Sequence, residues 1–151
     1  MHLKYVKQQY PKPPQTFISM TIMVKESIRF STFNCRGLAQ TTKRRTVFQW
    51  LKKYYNGFIF LQETHSTEIA EKQWRTEWKG QVEFSHGLST ARGVAIMLPN
   101  NIDYTVNDTV RDGDGRFLLL DCNVDGHNLI LVNIYAPTKD KKGMQEDVLI
   151  H

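Results

Sequence analysis

The sequence predicts a layered α/β fold of the α+β kind, with a mixed sheet and helical cover, on three observations. Apolar runs that read as buried strands first alternate with amphipathic stretches. Several short strands then follow one another without a helix. The last of these are separated by Asp-Gly turns, which favour antiparallel hairpins. At 151 residues the chain is one domain at most and long enough to bury a core. Its 40% hydrophobic and 23% charged content is that of an ordinary globular protein, and no run reaches the roughly 18 apolar residues of a membrane span.

The elements are expected in this order. Residues 1–27 carry scattered lysines interrupted by Pro11, Pro13 and Pro14, and read as a disordered leader ahead of a domain over 28–151. The apolar patch Phe17 to Val24 holds Ser19 and Thr21 without a small-residue cleavage pattern, which argues against a signal peptide; no Arg precedes Arg29, which argues against a transit peptide. Ile28 to Phe33 alternates apolar and polar with period two, as a strand does. Gly37 permits a turn, and Thr41 or Thr42 can cap a helix running to about Tyr55, with Val47, Trp50, Leu51 and Tyr54 as its apolar stripe. Asn56-Gly57 stops it. Phe58 to Leu61 is a fully apolar strand, and a second helix is expected over Thr67 to Trp78, ended by Gly80. Short strands are expected at Val82 to Ser85, Gly93 to Leu98, Tyr104 to Val110, Arg116 to Cys122 and Leu129 to Ile134. The charged stretch Lys139 to His151 reads as the start of another helix.

The formal net charge is +5, and the excess is local: Leu38 to Asn56 holds Lys43, Arg44, Arg45, Lys52 and Lys53 and no acid. Such a balance suits a polyanionic partner, with a merely solvated helix face as the equal alternative. Cys35 and Cys122 have neither metal-ligand spacing nor a disulfide framework, which favours a reducing compartment, nucleus or cytoplasm. No acid–base partner for a nucleophilic Cys35 is evident in the sequence.

Three strand ends carry the candidate chemistry: Asn34-Cys35-Arg36-Gly37, Leu61-Gln62-Glu63-Thr64 and Asn133-Ile134-Tyr135-Ala136-Pro137. Glu63 leaves a buried strand almost directly, and a carboxylate there is a hard oxygen ligand for Mg²⁺ or Mn²⁺, though helix capping or a lysine partner is the commoner role for a lone Glu. Asn34 could orient a metal-bound water or a carboxylate, or simply make a turn. Tyr135, held extended by the following Ala136-Pro137, could donate a hydrogen bond to a phosphate oxygen, or pack on the proline. Arg92, on a turn before a strand, is a candidate phosphate contact, as are Lys43, Arg44 and Arg45. Asp114-Gly115-Arg116 reads as a turn with a pairing Arg. His65, His86 and His127 have no ligand spacing and carry no assigned role.

Together and in this order, the three motifs resemble the endonuclease/exonuclease/phosphatase superfamily. More narrowly, Thr32 to Leu38, Leu61 to His65, Arg92 to Ile96 and Asp114 to Phe117 resemble the apurinic-type endonuclease domain of vertebrate LINE (non-LTR) retrotransposons, from about Ile28 to Ile150. The resemblance implies a two-sheet sandwich flanked by helices, with Glu63 as the Mg²⁺ ligand, Asn34 holding the metal or its water shell, and Tyr135 hydrogen-bonded to the scissile phosphate. It implies DNA as partner and, in a full-length element, a reverse transcriptase domain. Arg36 stands where cellular apurinic endonucleases carry an acid, which favours the retrotransposon branch.

The family's later motifs are absent from the sequence: a Gly-Asp-Phe-Asn segment, whose Asp prepares the attacking water, and a terminal Asp-His pair. The resemblance therefore covers about the first half of the family's domain. This leads to the expectation of an incomplete sandwich, inactive as this chain, with an apolar face needing a partner. A leader before Ile28 and an end after Ile150 read as signs of a truncated copy or a mis-drawn gene model. The alternatives are a non-enzymatic nucleic-acid-binding remnant, or another phosphoesterase of the superfamily acting on a phosphoinositide or sphingolipid.

Overall fold

A computed structural model describes the backbone of residues 3–4, 17–23 and 27–136, and the side chains of residues 28–136. The expected helix after Lys139 lies outside the described residues. In chain order the elements are β1 (Leu3–Lys4), β2 (Phe17–Met23), β3 (Ser27–Asn34), α1 (Thr41–Tyr54), β4 (Phe58–Gln62), a 3-10 turn (Glu68–Ala70), α2 (Glu71–Trp78), β5 (Val82–Ser85), β6 (Val94–Met97), β7 (Tyr104–Arg111), β8 (Phe117–Val124) and β9 (His127–Ile134). They form a six-stranded sheet ordered β1-β2-β3-β4-β6-β5 and a three-stranded sheet ordered β7-β8-β9. This is the expected α+β sandwich in incomplete form, with three layers: helices, first sheet, second sheet.

The first sheet is mixed. α1 returns the chain so that β4 lies parallel to β3, while every other pairing is antiparallel. β4 and β6 read as unbroken apolar runs because both of their faces are covered. Ile59, Leu61, Ala95 and Met97 face the helices, where they meet Phe48, Leu51, Trp74 and Trp78. Phe58, Val94 and Ile96 face the second sheet, where they meet Leu118, Leu120, Cys122 and Val124. β8 alternates strictly, its even-numbered residues from Leu118 to Val124 being buried, as a strand covered on one face should.

Four expectations are corrected. Part of the stretch taken for a disordered leader is strand: β2 pairs antiparallel with β3 from Phe17↔Phe33 to Met23↔Ser27, as its β-favouring composition allows. The residue before α1 is Gln40, without a side-chain cap, so Thr41 and Thr42 lie in the first turn. The buried face of α1 is centred on Arg44, Phe48 and Leu51, and Val47, Trp50 and Tyr54 only flank it. α2 ends at Lys79 in the left-handed conformation (φ 58°), one residue before Gly80. Among the described residues no helix is long and apolar enough to cross a membrane.

Candidate phosphate and metal site

The parallel pairing of β3 and β4 puts Asn34 directly beside Gln62, so the two chains leave the sheet together at their carboxyl ends. One residue further, Glu63 turns back in the left-handed region (φ 52°). Its carboxylate oxygen Oε1 accepts a hydrogen bond from the Asn34 amide at 2.9 Å, while Asn34 Oδ1 accepts one from the Arg36 backbone at 3.1 Å. The Asn side chain is therefore oriented at both ends.

The backward turn at Glu63 and a second at His65 (φ 53°) are unfavourable for residues with a Cβ. Backbone hydrogen bonds on both sides hold them. Gly37 and Leu38 donate to the carbonyls of Glu63 and Thr64, while Thr64 and His65 donate to those of Gly93 and Arg92. Two glycines are required by this clasp. A Cβ at Gly37 (φ 82°) would sit 2.6 Å from His65 Nδ1, and one at Gly93 (φ 87°) would overlap the Thr64 hydroxyl.

Tyr135 arrives from the other sheet. Asn133, two residues earlier on β9 and 2% exposed, donates from Nδ2 to the carbonyls of Leu61 (3.0 Å) and Ala95 (2.9 Å). Its Oδ1 accepts from Gln62 Nε2 at 2.7 Å, and Gln62 also donates to the Thr32 hydroxyl at 2.9 Å. With period two along the strand, Tyr135 follows Asn133 on the inner face, and its own N–H donates to the Arg116 carbonyl at 2.8 Å. The Tyr135 phenol lies near the Glu63 carboxylate. Its pKa is raised, first by burial and then by that carboxylate, against smaller lowering by Arg116 and Arg92. The phenol therefore keeps its proton at neutral pH and can donate it in a hydrogen bond.

The structure thus brings Asn34, Glu63 and Tyr135 to one place. It sorts the candidate basic residues differently. Arg44 is buried: Nε donates to Glu77 Oε2 at 2.6 Å, Nη2 to Glu77 Oε1 at 3.2 Å, and Nη1 to the carbonyls of Leu38 and Ala39 at 3.0 Å. With its donors engaged and the head enclosed, it has no face to offer a polyanion, which corrects its expected role. Lys43 donates to the carbonyls of Cys35 (3.0 Å) and Arg36 (2.8 Å), bracing the turn behind Asn34. Arg45 is exposed and meets Glu77 at 3.1 Å. Arg92 (φ 65°) lies at the site side, 3.5 Å from Asp114.

Cys35 is buried, and burial pushes its thiol up to about 12, so it is an inert core group. His65, without a role in the sequence reading, packs under Gly37; burial lowers its pKa, with Glu63 opposing and Lys43 adding to the shift. His86, likewise unassigned, links Ser66 Oγ to Nδ1 (3.0 Å) and Glu71 Oε1 to Nε2 (2.8 Å). This has the order of a nucleophilic triad, but Ser66 is 1% exposed and also bonded to the Thr64 hydroxyl, so the chain braces the loop that carries Glu63. Gln62 and Asn133 are the site residues that sequence reasoning missed. Their signal was position within the motifs, each one or two residues before the group it supports.

Among the described residues no group of three or more His, Cys, Asp or Glu side chains gathers as a metal cage. A single carboxylate at a strand end still fits Mg²⁺, which keeps waters and takes one or two carboxylates together with substrate phosphates.

No protein-family model matches the chain. Over 112 residues it is 33% identical to the "Transposon TX1 uncharacterized 149 kDa protein" of Xenopus laevis, a match that covers 74% of this chain and 9% of that protein. Among solved structures, an AP endonuclease from Archaeoglobus fulgidus superposes with a TM-score of 0.50 at 23% identity, over 73% of this chain and 41% of that one. Truncated Caenorhabditis elegans TDP2 superposes with a TM-score of 0.47 at 18% identity, over 66% of this chain and 41% of that one.

Proposed function

We propose that this chain, which resembles a transposon protein in sequence and an AP endonuclease in fold, is an endonuclease/exonuclease/phosphatase-like domain that forms the metal and phosphate side of a DNA-nicking phosphodiesterase site. The observation that carries this reading is the convergence of three groups from two sheets: the Asn34 amide hydrogen-bonds the Glu63 carboxylate, and the Tyr135 phenol lies beside that carboxylate. Glu63 would hold a Mg²⁺ or Mn²⁺ ion, with Asn34 fixing the carboxylate's rotamer. A bound Mg²⁺ supplies charge stabilisation at a phosphoryl oxygen. Tyr135, protonated and anchored through Asn133, is placed to donate to a non-bridging phosphate oxygen. Arg92 would add positive charge beside it.

The chain holds no residue pair of the water-activating kind that the resemblance calls for, because neither Gly-Asp-Phe-Asn nor the terminal Asp-His pair occurs in it. It is therefore expected to be inactive alone and to hydrolyse DNA phosphodiesters only within a longer protein, with a reverse transcriptase as the further partner such an element would carry. A magnesium-dependent plasmid-nicking assay tests both parts. The 151-residue chain should not nick, whereas a polypeptide that adds those later motifs should, and Glu63→Ala should abolish it. Robust nicking by the chain alone, lost in Glu63→Ala, would overturn the inactivity. Nicking by the longer protein that survives Glu63→Ala would overturn the site.

A binding module built on the basic helix is the poorer reading, since Arg44 is buried against Glu77 and Lys43 is held by backbone carbonyls. It predicts that Lys43→Ala and Arg45→Ala flatten the salt dependence of DNA binding.

A further inference from the structure

The bend that carries Glu63 is joined to the first turn of α2 by a row of hydrogen bonds. It links the Thr64 hydroxyl to Ser66 Oγ (3.0 Å), Ser66 Oγ to His86 Nδ1 (3.0 Å), and His86 Nε2 to Glu71 Oε1 (2.8 Å). Thr64 and Ser66 are 0% and 1% exposed, so bulk water cannot replace a lost partner. The Thr64 hydroxyl oxygen also accepts from the Ser66 N–H at 3.3 Å and has no further partner among the described residues.

The number of protons in this row is set by His86. Burial alone would raise the Glu71 pKa, but the hydrogen bonds and charges of His86 and Arg75 outweigh it, and the value is lowered. Glu71 is therefore a carboxylate that only accepts, and Nε2 must carry a hydrogen. In the neutral ring Nδ1 is then the acceptor, and every donor points one way. Thr64 donates to Ser66 Oγ, and Ser66 donates to Nδ1. Two hydroxyl protons fill two links. In the imidazolium Nδ1 carries a hydrogen as well, and three protons compete for the same two links. One buried hydroxyl proton is left without an acceptor, which is unfavourable where water is excluded.

That deficit falls on a bend already under strain. Thr64 stands between the two left-handed residues Glu63 (φ 52°) and His65 (φ 53°). Their conformation is held by the clasp, in which Gly37 and Leu38 donate to the carbonyls of Glu63 and Thr64, and Thr64 and His65 donate to those of Gly93 and Arg92. A strained bend that loses an internal partner opens more readily.

The charges around His86 are Glu71 and Arg75 of α2, Glu68 of the 3-10 turn, and Arg111 and Asp112 where β7 ends. Arg75 pairs with Glu71 at 2.6 Å, while Asp112 accepts from the Ser85 hydroxyl and the N–H groups of Arg116 and Phe117. Past Gly87, Arg92 and Asp114 pair with each other at 3.5 Å. The Phe84 ring of β5 stacks on the imidazole with centroids 5.1 Å apart. These neighbours set the pH at which the ring titrates. The proton count in the row sets what the titration does.

We propose that His86 is a positioning residue for Glu63: its neutral form locks the clasp through Ser66 and Thr64, and its protonated form releases it. The consequence at the metal rests on reading Glu63 as the metal carboxylate. The coupling of His86 to the clasp does not.

Nuclear magnetic resonance on the full 151-residue chain tests this. Ring signals report the charge of each histidine, and amide exchange, corrected for its intrinsic pH dependence, reports the clasp. From about pH 8 to about pH 5, protection of the Thr64 and His65 amides should fall about tenfold. The midpoint should coincide with that of the His86 ring, while α1 keeps its protection. Ser66→Ala interrupts the row and should remove the step although His86 still titrates. His86→Gln, which has no titrating proton, should remove it too, with slow exchange in α1 showing that each variant folds. Flat protection while His86 titrates would reduce the row to a structural brace and overturn the proposal. So would a step that survives in Ser66→Ala, or one whose midpoint follows His65. Line broadening by Mn²⁺ at neutral pH separates this outcome from the reading of Glu63. A pH step without broadening near Glu63 would sink the metal site and sustain the coupling, and broadening without a step would do the reverse.

Discussion

On the helix side of the first sheet, α1 and α2 seal Ile59, Leu61, Ala95 and Met97 under Phe48, Leu51 and Trp74, with Arg44 and Glu77 closing the rim as an ion pair. On the other side β8 seals Phe58, Val94 and Ile96, and Ile28 and Phe30 are buried too, but Thr32 and Phe60, along the groove beside β9, are only half-buried. The helices that close the first side lie in the chain directly between the strands they cover: α1 between β3 and β4, α2 between β4 and β5. The strands that partly close the second come later, beyond β6. Cover that is local in the chain is therefore complete, cover that returns from afar keeps an open edge among the described strands, and the candidate site lies at the end of the sheet where both layers meet.

The largest expected effect tests whether the helix-side layer is the finished one. Trp74→Ala removes a fully buried ring from it and should cost about 4 kcal/mol in urea unfolding. Phe60→Ala, in the open layer, should cost only about 1 kcal/mol, because the ring is already partly in water. Equal losses would erase the distinction between the two faces.

The ion pair at the rim gives the next effect. Glu77→Leu leaves the Arg44 guanidinium buried without a carboxylate and should cost about 3 kcal/mol, most of it recovered in the Arg44→Met, Glu77→Leu double variant. Burial alone would raise the Glu77 pKa, but the hydrogen bonds and charges of Arg44 and then Arg45 outweigh it, and the value is lowered. The folded-state value thus lies below the unfolded one of roughly 4.3. The pair's stabilisation is complete above that value and is lost as pH falls through the depressed one. Unfolding followed from pH 6 downward should show this loss in the wild type and not in the double variant.

Arg44 also marks where sequence reading failed. It sat in a run of cations, and charge patterning placed the whole run on a solvated or nucleic-acid-facing surface. Its partner Glu77 lies 33 residues away on α2, and nothing local announces the pairing. The same limit explains the misplaced stripe of α1: Phe48 is central only because Trp74 and Trp78 stack edge-on against it from another helix. The strands from β3 to β9, by contrast, are readable to within one or two residues, since their burial alternates or persists in ways the local pattern records, whereas β1 and β2 are not. The site was readable as three motifs because strand ends are visible in sequence. The hydrogen bond from Gln62 to Asn133, which joins two of those motifs across 71 residues, was not.

That hydrogen bond is the joint between the two layers, and breaking it should sharpen the comparison. Asn133→Leu leaves the buried carbonyls of Leu61 and Ala95 and the Gln62 amide without this partner, at a cost of about 2 kcal/mol. Hydrogen exchange should quicken at β9 and at Tyr135, and stay slow in α1 and α2. If the helices loosen equally, the layers are one cooperative unit and the asymmetry is only one of exposure.

The smallest expected effect on stability falls at the open edge itself. Val132→Lys places a charge in the middle of the exposed row on β9, where the wild-type side chain is already 42% exposed, so the folding free energy should change by no more than about 0.5 kcal/mol. Its effect on association should be larger, because a lysine on an edge strand is the device this strand lacks. Light scattering of the wild-type chain at rising concentration should show strand-mediated clustering, and Val132→Lys should suppress it. A lysine at Ile69, which is still more exposed but lies on the 3-10 turn and not in a strand, should not. If both lysines act alike, exposed apolar area drives the clustering. If only Val132→Lys acts, the edge backbone of β9 drives it, and the second layer differs from the first by an unprotected strand edge as well as by its exposed apolar row.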